Sequence, residues 1–186
     1  NKQQEIKLYD NNTIEFRNVS FKYPNMEQYA LRNVNVVLSG GEKVGIVGEN
    51  GAGKSTFVKL LLRLYDVSEG EILLNGVNIK NYDYDEYAKV FSVVPQDYAL
   101  FFFGIAENIA FDKYKEEIDN VKKNLIRVDM LKKVEKLPYG MDTYLSKWFS
   151  KGTDFSGGET QRIAIARGLF RDAGILVMDE IGRAHV

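Results

Sequence analysis

The sequence predicts an α/β domain organised around a phosphate-binding turn, and three observations predict it. Residues 48–55 fit the pattern G-x-x-x-x-G-K-[ST], with an apolar run at 42–47 before it and a helix-forming run after it. Two further runs, 90–94 and 174–178, are too apolar to face water and read as buried strands. Two carboxylates, Asp179 and Glu180, close the second of these, where ligands bind in open α/β sheets.

The 186 residues are enough for one domain with a substantial core. A formal net charge of -1 provides no global field to attract nucleic acid or anionic lipid. Cysteine is absent, which excludes disulfides and thiolate metal sites and suits a reducing compartment. No segment approaches the roughly 18 uninterrupted apolar residues of a membrane span, and Asn1 opens no signal peptide. The lack of an initiator Met suggests a piece of something longer.

In chain order, partial alternation at 14–19 and clean alternation of Val34, Val36 and Leu38 predict two strands. A polar turn around Pro24 and Asn25 lies between them, with Tyr23 just before it. Ser39, Gly40 and Gly41 break the chain ahead of a buried strand over 42–47. In the turn that follows, Gly48, Gly51 and Gly53 allow backbone N–H groups to point inward, and the helix start at Thr56 adds its own. Asn50 and Ala52 complete this cradle. Lys54 would reach the β- and γ-phosphates, and the Ser55 hydroxyl would ligate Mg²⁺.

Residues 65–70 read as a linker, 71–76 as a short strand, 84–89 as a brief helix, and 90–94 as a central strand stopped by Pro95. The chain then changes character. Residues 105–109, 116–126 and 129–134 read as helices, with Ile118, Val121, Leu125 and Val128 spaced for a buried stripe. Lys122, Lys123, Lys132, Lys133 and Lys136 alternate with acidic neighbours, which predicts a solvated face. Ser156, Gly157, Gly158 and Glu159 precede a helix over 160–171, in which Ile163, Ala164, Ala166 and Leu169 supply a packed face. Read without further context, Ser-Gly-Gly-Glu is equally a helix cap with an acidic first turn.

The ordered set of motifs over 12–180 closely resembles the nucleotide-binding domain of ABC transporters, of the exporter-like kind fused to membrane helices. The resemblance implies a P-loop NTPase fold, an ABC-type ATPase core sheet with an inserted helical subdomain at about 98–170. It implies ATP and Mg²⁺ as ligands. By resemblance Tyr23 stacks on adenine, Gln96 contacts Mg²⁺ or the attacking water, Asp179 holds Mg²⁺, and Glu180 polarises the hydrolytic water. Ser156, Gly157, Gly158 and Glu159 match the signature that binds the γ-phosphate of ATP held by an opposite subunit. A head-to-tail dimer is therefore implied, together with a transmembrane domain fused upstream and a place on the cytoplasmic face of the membrane. No nucleic-acid partner is expected.

The segment 99–109, with Phe101, Phe102 and Phe103, resembles the exporter region where membrane-domain helices dock; the same rings would equally fill a seam beside the helical insertion. Phe155 stands for the usual Leu of the signature and Glu159 for the usual Gln, and Glu159 either weakens the anion site or points away. Residues 139–143 resemble the exporter stretch before the signature, whereas 148–152 depart from it. After Glu180 the resemblance ends. His185 follows Glu180 too closely to be the family's γ-phosphate histidine. Residues 180–186 can be encoded by GAG ATC GGA AGA GCA CAC GTC, which from its second base reads as a common sequencing adaptor, so 181–186 is expected to be a non-native tail. A chain ending there is expected not to hydrolyse ATP by itself. Two other readings stay open: a soluble ABC ATPase acting on nucleic acid or the ribosome, and a nucleotide-binding module without turnover.

Overall fold

The structure, a computed structural model, describes residues 5–6 and 12–178. Asp179, Glu180 and the predicted tail at 181–186, His185 included, lie outside the described residues. The chain divides into two compact units between Phe91 and Ser92.

The first unit is built on an antiparallel sheet of β1 (Thr13–Phe21), β2 (Leu31–Ser39), β3 (Glu69–Leu74) and β4 (Val77–Asn78), in the order β2-β1-β3-β4. Ile14 is opposite both Leu38 and Leu74, and Phe16 is opposite Val36 and Ile72, so the alternating apolar residues of β1 share one face. The register shifts between Phe16 and Val19, where Asn18 adopts a φ of 49°. On the buried face lies α1 (Lys54–Leu61), whose Phe57 ring stacks on Phe16 at 4.3 Å between centroids. Burying Phe57 and Leu60 contributes about 1.5–3 kcal/mol each.

The short helix α2 (Tyr84–Ala88) starts where Asp83 caps it, its carboxylate accepting from the amides of Asp85 and Glu86. Its Tyr87 is fully buried and donates its hydroxyl to Leu61 O at 2.7 Å, satisfying a carbonyl at the end of α1. Burial raises the Tyr87 pKa well above the usual tyrosine value, with a smaller opposing effect from Arg63.

One sequence expectation fails in this unit. Residues 42–47 form no strand and are exposed, Val47 at 91%. An apolar run becomes a buried strand only when hydrogen-bonded neighbours and covering layers enclose it. The sheet of the first unit pairs β2, β1, β3 and β4 with one another and none of them with 42–47, which therefore has no ladder to join.

The second unit contains β5 (Phe91–Val94) from Ser92 onward, α3 (Ile105–Ala110), α4 (Ile118–Arg127), α5 (Leu131–Val134), α6 (Gly157–Phe170) and β6 (Ile175–Met178). Helices α3 and α4 pack against α6 around Ile105, Ile109, Val121, Leu125, Met130, Val134, Ile163 and Ala166. Of the predicted stripe, Val121 and Leu125 are fully buried, while Ile118 and Val128 pack at its margin. Helix α6 begins three residues before its predicted start because Ser156 caps it.

Strands β5 and β6 pair as a two-stranded sheet. Gly168 lets α6 approach them: a Cβ there would stand 2.6 Å from a Val94 methyl, and Ser92 Oγ donates to Gly168 O at 2.7 Å. The expectation of strands buried on both faces is corrected here, since Val93 is 41% and Met178 50% exposed. Helix α6 covers the side of the sheet that carries Ser92, Val94 and Leu176, and exposure is confined to Val93 and to Met178 at the end of its strand, while Phe91 and Val177 stay buried. Among the described residues no helix is long and apolar enough to cross a membrane.

Candidate functional site

The glycine-rich turn runs directly into α1. Gly51 and Gly53 have φ values of 83° and 87°, the left-handed region that glycine enters without penalty. Gly53 is the N-cap of α1 and offers no side chain, so the first-turn amides at Lys54, Ser55 and Thr56 receive no side-chain acceptor. These donors, with the positive end of the helix, make an anion-binding concavity. Lys54 Nζ lies across the turn, donating to Gly48 O at 2.7 Å and Glu49 O at 2.8 Å. An ammonium held by two backbone carbonyls can be redirected to an anion over the same loop with little rearrangement. Ser55 is exposed at the same helix start.

Tyr23 is brought to this helix. Its hydroxyl shares a hydrogen bond with Thr56 Oγ1 at 3.1 Å, and Lys59 Nζ lies 5.5 Å from its ring centroid. Phe21 and Tyr65 pack edge-on against it at 5.0 and 5.3 Å. The structure thus places an aromatic ring beside the turn's helix, within one unit, from a position 33 residues away in sequence.

At the second motif, Ser156 and Glu159 form a reciprocal capping box. Ser156 N donates to Glu159 Oε2 at 2.9 Å, and Glu159 N donates to Ser156 Oγ at 3.4 Å. Lys133 pairs with Glu159 Oε1. The Lys133 ammonium, then the Ser156 amide, hold the Glu159 carboxyl below the usual carboxylate range. The carboxylate is thus turned back on the cap and neutralised. Gly157 and Gly158 are exposed, and a Cβ on either would meet nothing within 4 Å, so the start of α6 is open. Tyr98 supports it from the side, donating to Gly157 O at 3.2 Å and sharing a hydrogen bond with Thr160 Oγ1 at 3.1 Å.

Gln96 follows β5 and is exposed. Phe101, Phe102 and Phe103 are 42%, 70% and 39% exposed, so they form surface rather than seam. Phe101 packs on Phe103 and Phe111, and Phe102 on Phe149. Nearby, the loop closed by Lys147 and Asp154 at 2.8 Å carries Trp148, which is 88% exposed. Asp179 and Glu180 lie outside the described residues.

Sequence reasoning missed two contributors. Lys133 was expected on a merely solvated face, yet it reaches the α6 cap across 26 residues of chain. Tyr98 carried no signal at all, because only folding brings it to Thr160. The local cue available for Lys133 was an acidic residue at the third helical position of α6, which invites a cation.

Comparison with known proteins follows the same lines. The family model for the ABC transporter matches residues 31–182. Over 173 residues the chain is 42% identical to the subtilin transport ATP-binding protein SpaT of Bacillus subtilis, covering 90% of this chain and 28% of that protein. It is 43% identical over 171 residues to the ATP-dependent lipid A-core flippase of Haemophilus influenzae (strain 86-028NP), with the same coverage. Among solved structures, a bacterial Atm1-family ABC exporter with ATP bound superposes with a TM-score of 0.81 at 34% identity, covering 97% of this chain and 31% of that chain. The chain spans 28% of the length of these curated relatives.

Proposed function

This chain belongs to the ABC transporter family as an exporter-type nucleotide-binding domain, and we propose that in its parent protein it binds and hydrolyses ATP to drive export across a membrane. The observation that carries the reading is the turn at Gly48–Thr56: two glycines at positive φ, an uncapped helix start and a lysine laid over the loop. Lys54 and the loop amides bind the β- and γ-phosphates and stabilise the charge that develops on the transferring phosphoryl group. Tyr23 offers its ring to adenine. Asn50 and Ala52 contribute backbone to the cradle, and Thr56 orients Tyr23.

The hard oxygens of Ser55, Gln96 and Asp179 suit Mg²⁺, which when bound would neutralise phosphate charge. Glu180 orients and polarises the attacking water, and Gln96 senses both that water and the membrane domain. The start of α6 with Ser156, Gly157 and Gly158 receives the γ-phosphate of a nucleotide held by a second such domain. Its supports are the open glycines and a Glu159 charge already met by Lys133. We place the domain at 12–180, with its helical subdomain at about 98–170.

A head-to-tail dimer and a fused upstream membrane domain complete the proposal, and would hold the chain at the cytoplasmic face. The relatives are longer than this chain, which matches 28% of their length, and so leave room for a further domain in the parent. The test is Mg²⁺-dependent phosphate release by the intact parent protein. Lys54→Ala should abolish nucleotide binding, whereas Glu180→Gln should keep binding and lose turnover. Turnover unaffected by either substitution would overturn the reading.

A further inference from the structure

Arg167 lies in the later part of α6, away from the capped end. Its Nε donates to Asn108 O at 2.7 Å, its Nη1 to Ala99 O at 2.7 Å and its Nη2 to Asn108 Oδ1 at 2.9 Å. The guanidinium also lies 5.3 and 5.5 Å from the ring centroids of Phe101 and Phe111. Asn108, on α3, is fully buried. Its Oδ1 accepts from Phe101 N at 2.9 Å, and its Nδ2 donates to Phe101 O at 2.9 Å, Phe103 O at 3.1 Å and Gly104 O at 3.2 Å.

Asn108 therefore grips the backbone of the loop 99–104 directly, and Arg167 holds it through one bond to Ala99 O and two to Asn108. Burying a polar group is costly unless it is met. The Asn108 amide is met by the loop carbonyls of Phe101, Phe103 and Gly104, and the half-buried Arg167 guanidinium by Ala99 O of the loop and by the two oxygens of Asn108. A loop serving only to fill the core would turn its rings inward. This one is anchored by its backbone while Phe101, Phe102 and Phe103 remain exposed. Anchored backbone beneath an exposed aromatic surface is an arrangement for presenting that surface in a set position.

We infer that Arg167 and Asn108 are positioning residues that make the loop 99–104 and helix α6 one rigid body, so that a load on the capped end of α6 reaches the Phe101–Phe103 surface. The load in question is nucleotide phosphate at Ser156, so the inference rests on the reading proposed above. Coupling of this kind travels through packed elements that move together, and single substitutions along it change the coupling by about two- to thirtyfold.

The test uses the intact parent protein with any cysteines outside this chain replaced, because the chain itself has none. Nitroxides on Phe102→Cys and Arg171→Cys report the loop-to-helix distance. In the parent the distance distribution should be narrow and the same with or without Mg-ATP. Arg167→Met should broaden it, and Arg167→Lys, which keeps charge but reaches fewer acceptors, should fall between. In a second readout, maleimide labelling of Phe102→Cys should change on adding Mg-ATP by about threefold in the parent and hardly at all with Arg167→Met. ATP affinity should stay within about twofold of the parent in both variants, since α1 is untouched. A distribution in Arg167→Met as narrow as the parent's, or an undiminished ATP response at position 102, overturns the inference. Should the parent itself fail to bind ATP, the nucleotide reading and its load path fall together; binding retained with an unchanged Arg167→Met response sinks only the clamp.

Discussion

Gly51 and Gly53 have nearly the same backbone conformation in different surroundings, so Ala at each separates conformational strain from steric conflict. An L-residue in the left-handed region costs about 1–2 kcal/mol. For Gly51→Ala that is the whole cost, because a Cβ there meets nothing within 4 Å. The expected loss is about five- to thirtyfold in ATP affinity if the loop relaxes when empty, or the equivalent in stability if it does not. For Gly53→Ala the new methyl would stand 2.7 Å from Ala30 O and 2.7 Å from Leu31 Cδ2. Leu31 is half-buried and can turn aside. Ala30 cannot, since its amide donates to Phe21 O at 2.8 Å at the edge of the sheet.

Overpacking of that kind adds about 1–3 kcal/mol, bringing the total for Gly53→Ala to about 2–5 kcal/mol. A fluorescent-nucleotide titration and a thermal unfolding curve on each variant of the intact protein measure the two parts. Gly53→Ala should be worse than Gly51→Ala by about five- to 160-fold when both parts are combined. Equal effects of the two substitutions would refute the steric argument, and no effect from either would refute the conformational one.

Glu159→Gln keeps an oxygen for the Ser156 amide but loses the ion pair with Lys133, so α6 amides should exchange faster at pH 7 by an amount matching about 0.2–1 kcal/mol. Because the folded Glu159 carboxyl is held below its unfolded value, that contribution is present above about pH 4.3 and disappears as pH falls through the folded pKa; parent and variant should converge in acid, and a difference persisting there would contradict the assignment. Tyr87→Phe leaves Leu61 O without its buried donor and should destabilise α1 by about 1–2 kcal/mol, read from hydrogen exchange of the helix. The raised Tyr87 pKa means that its contribution is full below about pH 10 and is lost as pH rises towards the folded value, an alkaline weakening the Phe variant should lack. Thr143 is buried at 2% exposure with a hydroxyl that has no partner among the described residues; Thr143→Val should be neutral or stabilise by up to about 1 kcal/mol in thermal unfolding, and a clear loss would count against this.

Much of the candidate site's local geometry was legible because it is set by neighbours in sequence. Gly51, Gly53, Lys54 and Ser55 are neighbours in the chain, and a turn that needs positive φ and uncovered amides selects their residue types wherever the rest of the fold lies. The capping box of Ser156 and Glu159 is local for the same reason, which is why the helix-cap reading of that segment and its signature reading are compatible in one geometry. The run at 42–47 shows where local reading stops. Its composition says only that it prefers burial, and burial is conferred by neighbours that composition does not name.

Sequence alone therefore determined the residue types of the glycine-rich turn, the order of the motifs and the membership in an ATP-binding family. Each of these depends on contacts within a few residues or on a pattern carried by the chain itself. Tertiary structure alone decided that Lys133 neutralises Glu159, that Thr56 orients Tyr23, and that Arg167 and Asn108 hold an aromatic loop with its rings outward. Those pairings join residues 26, 33 and 59 positions apart, and nothing in a one-dimensional pattern specifies which distant group will meet a buried or capping charge. The requirement that such a group find a partner is general; which partner it finds is settled only when helices and strands pack.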